Sequence, residues 1–123
     1  MKDIKTDKSA TLQDLKNIVR HFCEERGWDE PHNPKDLAVG MVTEACELLE
    51  IFRFRSETDS LALMGDFKER ESIGEELADT LCFILRFAQK YQFDLTRCLQ
   101  NKLKKNAEKY PVPAPSDSKD LRE

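Results

Sequence analysis

The sequence is poor in several features that mark common classes of protein. It has 4 glycines, its 20 basic residues are outnumbered by 24 acidic ones, and its apolar runs are short. A net charge of −4 argues against a protein that binds the nucleic-acid backbone, which needs a basic face. No apolar run could span a membrane, and residues 1–9 lack the apolar segment of a signal peptide. We therefore expect a cytoplasmic protein whose partners include neither a nucleic-acid polymer nor a membrane.

Several common catalytic and redox motifs are also missing. The sequence has no C-x-x-C pair, no glycine-rich phosphate loop and no recognisable Ser–His–Asp set. Its four cysteines are spread singly through segments of helical periodicity, as expected of small core residues in a reducing cytoplasm. These absences leave the acidic residues as the first candidates for chemistry.

Charge and helical periodicity are what the sequence has in quantity. Charged residues make up 36% of it, and apolar residues recur at helical spacing. We predict an all-α domain of four helices at residues 11–110, between a flexible N-terminus at 1–10 and a proline-rich, disordered tail at 111–123. A loop with a short helical turn is predicted at residues 56–66. The predicted helices run from the cap Thr11 to Gly27, from the cap Asn33 to about Phe54, from about Phe67 to Tyr91, and from the cap Asp94 to about Lys109.

Two acidic pairs stand out among the six pairs of acidic residues that are three apart in this sequence. Residues at this spacing share one face of a helix. When residues are placed at about 100° each, Glu44 and Glu47 fall among the apolar residues of the second helix. Glu76 falls among those of the third helix, and Asp79 lies at the edge of the same arc. We predict that these carboxylates point toward the core side of the helices rather than into water.

Carboxylates in such positions need a counter-charge. Burying an unpaired carboxylate costs several kcal/mol or more, and neighbouring carboxylates also repel one another. A domain whose stability is roughly 5–15 kcal/mol cannot carry four of them uncompensated. A divalent metal ion would compensate them, because hard cations bind carboxylate oxygens; arginine and lysine side chains from elsewhere in the chain are the alternative.

Three other features each have a structural and a functional interpretation. Trp28 and His32 lie in a turn-rich connection, where they either pack and hydrogen-bond within the fold or contact a ligand, with Trp28 stacking on its ring. Lys102, Asn106 and Tyr110 share one face of the fourth helix, which is either solvated or lines a phosphate-binding pocket. The third helix is apolar around most of its circumference. The three other helices of so small a chain can hardly cover that much apolar surface. We therefore expect a subunit interface, with a symmetric dimer as the default.

The order of the acidic motifs resembles that of the MazG-like all-α nucleoside triphosphate pyrophosphohydrolases, whose motif is E-x-x-E followed by E-x-x-D on helices. Within that family the resemblance is strongest to the dCTP pyrophosphatase branch and covers about residues 12–113. It rests on Gly27-Trp28-Asp29, His32-Asn33-Pro34, Glu44-Ala45-Cys46-Glu47-Leu48-Leu49-Glu50, Glu75-Glu76-Leu77-Ala78-Asp79 and the ending Lys102-x-x-x-Asn106-x-x-x-Tyr110-Pro111.

The resemblance implies a fold, a metal site and a set of substrate contacts. The fold would be a four-helix MazG-like bundle that completes its core by dimerising, with a dimer of dimers as a further option. A nucleoside triphosphate would be cleaved between its α- and β-phosphates into a monophosphate and pyrophosphate. Mg²⁺, or Mn²⁺ as a substitute, would be held by Glu44, Glu47, Glu76 and Asp79. Substrate would be contacted by Trp28, His32, Phe54, Phe83, Lys102, Asn106 and Tyr110, with Phe54 in place of a common Trp and Phe83 in place of a frequent Tyr.

Metal-ion chemistry also fits these residues without the resemblance. Cleavage of a phosphoanhydride needs charge neutralisation and a positioned water more than a covalent nucleophile, and metal ions supply both. A spare carboxylate can accept the proton of the water. Glu47 is the candidate, because it lies nearer the solvent edge than Glu44.

The expected activity is therefore Mg²⁺-dependent hydrolysis of dNTPs, with dCTP or a modified cytidine nucleotide preferred, in the upkeep of the nucleotide pool. One alternative keeps the fold but acts on dUTP or on NTPs broadly. The other is a non-catalytic helical oligomerisation module that retains the acidic cluster.

Overall fold

The computed structural model describes residues 6–115, which contain five α-helices and no strand. The all-α prediction is confirmed, and the four long helices lie close to their predicted bounds. The parts of the predicted flexible N-terminus and disordered tail at residues 1–5 and 116–123 lie outside the described residues. The helices are α1 at Leu12–Glu25, α2 at Pro34–Phe52, α3 at Glu57–Leu63, α4 at Phe67–Lys90 and α5 at Leu95–Lys109.

The long helices begin where short polar side chains can cap them. The Thr11 side chain accepts the backbone N–H of Asp14, and the Asp14 carboxylate in turn accepts the N–H of Thr11, which makes a capping box at α1. Asn33 caps α2 directly before a proline at the first helical position, and Asp94 caps α5. These three starts are the predicted ones.

The end of α1 fixes the backbone of the only tryptophan. Gly27 adopts a φ of 66°, a left-handed conformation that costs glycine little. Its N–H bonds the carbonyl of Glu24 at 3.1 Å, and the N–H of Trp28 bonds the carbonyl of Cys23 at 3.0 Å. This pair of bonds is a Schellman motif, so Trp28 leaves the helix in a defined direction.

The segment predicted as a loop with a short helical turn holds a regular helix, α3, of 7 residues. Ser56 caps it by accepting the N–H of Asp59. The acidic side chains of Glu57 and Asp59 in its first turn interact favourably with the positive end of the helix dipole. The predicted short helical turn is therefore present as a helix of about two turns, which occupies most of the segment predicted as a loop. Within the described residues, no helix has the length and apolar character needed to cross a membrane.

The chain divides into two compact units, of which the first ends at Phe93 and the second begins at Asp94 and contains α5. In the first unit α4 packs along α2 and against α1. Leu37 of α2 is completely buried. The other buried apolar residues among those described are Cys23, Ile73, Leu85 and Ala88.

Contacts between α2 and α4 show that these two helices are antiparallel. Gly40 of α2 faces the ring of Phe83, and Glu47, further along α2, lies beside Glu76, which comes earlier on α4. Advancing along one helix therefore means moving back along the other. This register brings the acidic motif of α2 next to the acidic motif of α4, although the two motifs are about thirty residues apart in the sequence.

Candidate active site

Three carboxylates from the facing helices converge on one point. Glu44, Glu47 and Glu76 each offer an oxygen, and these oxygens all lie within 4.8 Å of one another. Asp79 lies close enough for its charge to act on both Glu44 and Glu76. The structure thus brings together the four acidic residues that the sequence singled out, with Asp79 beside the three-oxygen cluster rather than in it.

The four acidic side chains differ in exposure. Glu44 and Glu76 are half-buried, whereas Glu47 and Asp79 are exposed. The prediction that all four point away from water is therefore wrong for Glu47 and Asp79. The predicted order of exposure within the first motif, with Glu47 nearer the solvent than Glu44, is confirmed.

The cluster fits a divalent cation on two observations. Glu76 Oε1 is buried and has no hydrogen-bond partner among residues 6–115. Loss of water, followed by the charges of Glu47 and Asp79, raises the pKa of both Glu44 and Glu76. Among residues 6–115, no arginine or lysine forms an ion pair with any of these carboxylates. Neutralisation by basic side chains is therefore not what this unit provides, and a hard cation would satisfy the oxygens.

Phe83 lies one turn along α4 from Asp79 and fills the space above Gly40. A Cβ atom at Gly40 would stand 2.6 Å from Cδ1 and Cζ of the Phe83 ring, so no side chain fits between them. The ring is half-buried and sits next to the acidic cluster on the same side of α4. Its position suits the predicted contact with substrate, which stays a prediction.

The connection between α1 and α2 is held by hydrogen bonds from α4. Arg86 Nε donates to His32 Nδ1 at 3.0 Å, and Arg86 Nη2 donates to Asp29 Oδ1 at 3.1 Å. The carbonyl of His32 accepts from Lys90 Nζ at 2.8 Å and from the Tyr91 hydroxyl at 3.0 Å. The hydrogen-bonding interpretation of His32 is therefore correct, and its contact with a ligand stays a prediction.

Trp28 keeps part of its surface free. Its ring packs edge-on against Phe22 and tilted against His32, with centroids 5.8 Å apart in both pairs. The residue is nevertheless 42% exposed. The interpretation of Trp28 as a packing residue is thus correct for the part of the ring that contacts Phe22 and His32. Stacking of its exposed surface on a ligand stays a prediction.

Arg86 is the residue that sequence reasoning missed. It is 1% exposed, and besides His32 and Asp29 it donates to Gln89 Oε1 at 2.7 Å. A fully buried arginine is rare unless its hydrogen bonds are satisfied. The available signal was an arginine inside the apolar run Leu81-Cys82-Phe83-Ile84-Leu85-Arg86-Phe87-Ala88.

We expect acid to weaken the fold through His32. Burial lowers the pKa of His32, and the cationic charges of Arg86 and Lys90 lower it further against the opposing charge of Asp29. Because the unfolded chain then binds the proton more readily, stability should fall as pH drops below the ordinary value of 6.5. Urea unfolding between about pH 7.5 and pH 5.5 should show a steeper loss in the natural chain than in His32→Asn.

The design of that variant isolates the titration. Asparagine keeps an acceptor oxygen for Arg86 but carries no titratable group. The exposed histidine of α1, changed in His21→Asn, is the control and should leave the steeper loss in place. Parallel pH profiles for the natural chain and His32→Asn would contradict the prediction.

The remaining predicted contacts are exposed or lie in the second unit. Phe54 follows the end of α2 and is 87% exposed. The guanidinium carbon of Arg53 lies over its ring, 4.5 Å from the centroid. In the second unit, Lys102 is exposed and Asn106 is half-buried, and their spacing places both on one face of α5. Tyr110 is exposed and is the non-helical C-cap residue of α5, so the predicted shared helical face includes only Lys102 and Asn106. Their roles toward a substrate stay predictions.

The chain is similar in sequence and in structure to known proteins. Residues 41–121 match the MazG-like family. The dCTP pyrophosphatase 1 proteins of Rattus norvegicus and Mus musculus are each 33% identical to the chain over 102 residues, or 83% of the chain. The chain spans 60% of the length of these curated relatives. The crystal structure of a pyrophosphatase from Archaeoglobus fulgidus is 32% identical and aligns with a TM-score of 0.77 over 89% of this chain and 100% of that one.

The family match and the geometry agree. The match begins on α2 and continues through α4, the two helices that supply the acidic cluster. It covers well over half of the chain, and the aligned crystal structure shares the all-helical fold along its full length. The chain belongs to the MazG-like family.

Proposed function

We propose that this chain is a Mg²⁺-dependent nucleoside triphosphate pyrophosphohydrolase that acts on dNTPs, with dCTP or modified dCTP preferred. It would cleave between the α- and β-phosphates and release dNMP and pyrophosphate, in nucleotide-pool housekeeping in the cytoplasm. The observation that carries the proposal is the buried, unpartnered Glu76 Oε1 within the convergent carboxylates. The names of the relatives support the reaction and the cytidine preference.

The metal site would consist of Glu44, Glu47, Glu76 and Asp79, with Mn²⁺ as a substitute for Mg²⁺. When bound, the ion neutralises phosphate charge and lowers the pKa of a coordinated water. Glu47 is our candidate for the general base, because it is the exposed member of the cluster and can reach a water from solvent. As the water oxygen bonds to phosphorus, its proton passes to this carboxylate and the bond to the bridging oxygen breaks.

The substrate side would combine aromatic and polar contacts. Trp28 and Phe54 would contact the base, and Phe83 the deoxyribose, with His32 offering its Nε2. Lys102 and Asn106 of α5, with Tyr110 at its C-cap, would contact phosphates and sugar. Exposed apolar side chains on α2 and α4, such as Val42, Leu49 and Leu77, support association into a homodimer or homotetramer.

The test is an assay that separates pyrophosphate from phosphate release. We expect pyrophosphate from dCTP and 5-methyl-dCTP in the presence of Mg²⁺ and none in its absence, because the carboxylates alone repel a triphosphate. All canonical dNTPs and NTPs should be compared. Activity spread evenly over bases, or greatest on dUTP, would discard the dCTP preference, and no turnover of any nucleotide would leave the non-catalytic oligomerisation module.

A further inference from the structure

Arg86 lies on the same side of α4 as the acidic motif and Phe83, at a spacing of three or four residues from one to the next. Among residues 6–115 its only ion-pair partner is Asp29, not a carboxylate of the acidic cluster, and only 1% of Arg86 is exposed. Its three hydrogen-bonded partners are Asp29, His32 and Gln89. The guanidinium thus ties the connection between α1 and α2 to the helix that carries half of the metal site.

The hydrogen bond to His32 has a consequence for that ring. An arginine nitrogen can donate and cannot accept, so His32 Nδ1 must be unprotonated and the neutral ring carries its proton on Nε2. The bond also fixes the ring plane, because the guanidinium is itself held by Asp29 and Gln89. His32 is therefore locked in one tautomer and one orientation.

The His32 ring in turn supports Trp28. Their centroids are 5.8 Å apart at an angle of 55°, while the Schellman motif fixes the Trp28 backbone. Phe22 holds another edge of the indole. The Trp28 ring thus rests between the rings of Phe22 and His32, and the orientation of His32 is set by Arg86.

We propose that Arg86 is a positioning residue for base recognition, which sets the Trp28 ring, through His32, at a fixed place relative to the acidic cluster. This inference rests on the proposed function, in which the base stacks on Trp28. Arginine is needed because its planar group donates to three acceptors at once, which a lysine ammonium cannot do in the same geometry. The metal end and the base end of the substrate would then be aligned by one helix.

Arg86→Lys is the first variant to test, with two substrates that differ in the base. One is dCTP, and the other is the 5′-triphosphate of deoxyribose, which has no base. We expect KM for dCTP to rise by about tenfold or more, because a loosened supporting contact misplaces the ring. Both kcat and the KM of the baseless triphosphate should stay within about twofold.

Fluorescence gives a readout that does not depend on turnover. Trp28 is the only tryptophan of the chain, so acrylamide quenching reports the accessibility of this one ring. Arg86→Lys should raise the quenching constant. Lys16→Met is the matched control, because Lys16 is also buried but donates to the carbonyl of Phe93; it should leave quenching and the ratio of the two KM values unchanged.

The outcomes separate this inference from the proposed function. Equal losses on both substrates, or unchanged quenching, would overturn the positioning role. If Arg86→Lys does not fold, Asp29→Ala removes one of the acceptors that hold the guanidinium, at an exposed site outside the proposed substrate contacts, and must show the same selective KM effect and the raised quenching. A natural chain that cleaves no triphosphate would overturn the proposed function alone, and quenching in Arg86→Lys would still decide whether Arg86 holds the ring.

Discussion

Replacing Glu76 with glutamine is expected to abolish pyrophosphate release and, at the same time, to stabilise the metal-free chain. Glutamine has the same shape but no charge, so it cannot help to hold a divalent cation. We expect activity to fall by at least about a hundredfold, as for other groups that stabilise transition-state charge. Loss of the half-buried charge also removes repulsion from Glu47 and Asp79.

The direction of the stability change follows from the pKa of Glu76. Loss of water and the neighbouring carboxylates raise it, so the folded chain binds a proton more tightly than the unfolded one. The charged form therefore opposes folding at neutral pH, and its removal should raise Tm in EDTA. In the natural chain, Mg²⁺ should raise Tm with concentration if, as proposed, these carboxylates hold it in the folded state, because an ion that binds only the folded state stabilises it.

Glu75→Gln is the matched control for this experiment. Glu75 is the preceding residue on α4, is exposed and lies outside the cluster. It should leave Tm in EDTA, the Mg²⁺ response and activity close to those of the natural chain. A lower Tm of Glu76→Gln in EDTA would mean that its charge is compensated within the protein, which would remove the main argument for a metal ion.

The second large effect is expected at Gly40, where adding one methyl group should destabilise the chain. The new Cβ would overlap the Phe83 ring, as the 2.6 Å separations show. Either the ring must leave its place beside the acidic cluster or α2 and α4 must separate. Overpacking of this kind costs about 1–3 kcal/mol, so urea unfolding of Gly40→Ala should show a clearly lower midpoint.

A second helical glycine provides the opposite control. Gly74 lies within α4, and a Cβ atom there would meet nothing within 4 Å. Gly74→Ala should therefore stabilise the chain by about 0.5–1 kcal/mol, since alanine is the better helix former. Adding Phe83→Leu to Gly40→Ala should recover part of the lost stability. Equal effects of the two alanines would show that the ring yields freely and does not fix the spacing of the helices.

Local features of this fold could be predicted because they depend on few neighbouring residues. Thr11, Asn33 and Asp94 cap their helices through bonds to backbone groups three residues away. Gly27 ends α1 for an equally local reason. The pairing of the acidic motifs was also within reach, because angle around a helix follows from spacing alone.

The exposure of side chains and their contacts with residues of other helices could not be predicted in the same way. The angular position of Glu47 and Asp79 was right, but their exposure depends on how closely α2 approaches α4. The contact of Gly40 with Phe83 depends on the register of two helices that are separated by α3 along the chain. Arg86 was missed because two of its three partners, His32 and Asp29, lie 54 and 57 residues away along the chain.

The antiparallel register of α2 and α4 also determines where this chain can change in length during evolution. Inserting one residue between Gly40 and Glu47 would rotate the remainder of α2 by about 100°. That rotation would carry Glu47 away from Glu76 while leaving Gly40 in place. Single-residue insertions along the paired segments of both helices would therefore separate the two acidic motifs. The connection that contains α3 can lengthen or shorten without disturbing the pairing, so relatives should differ in size there.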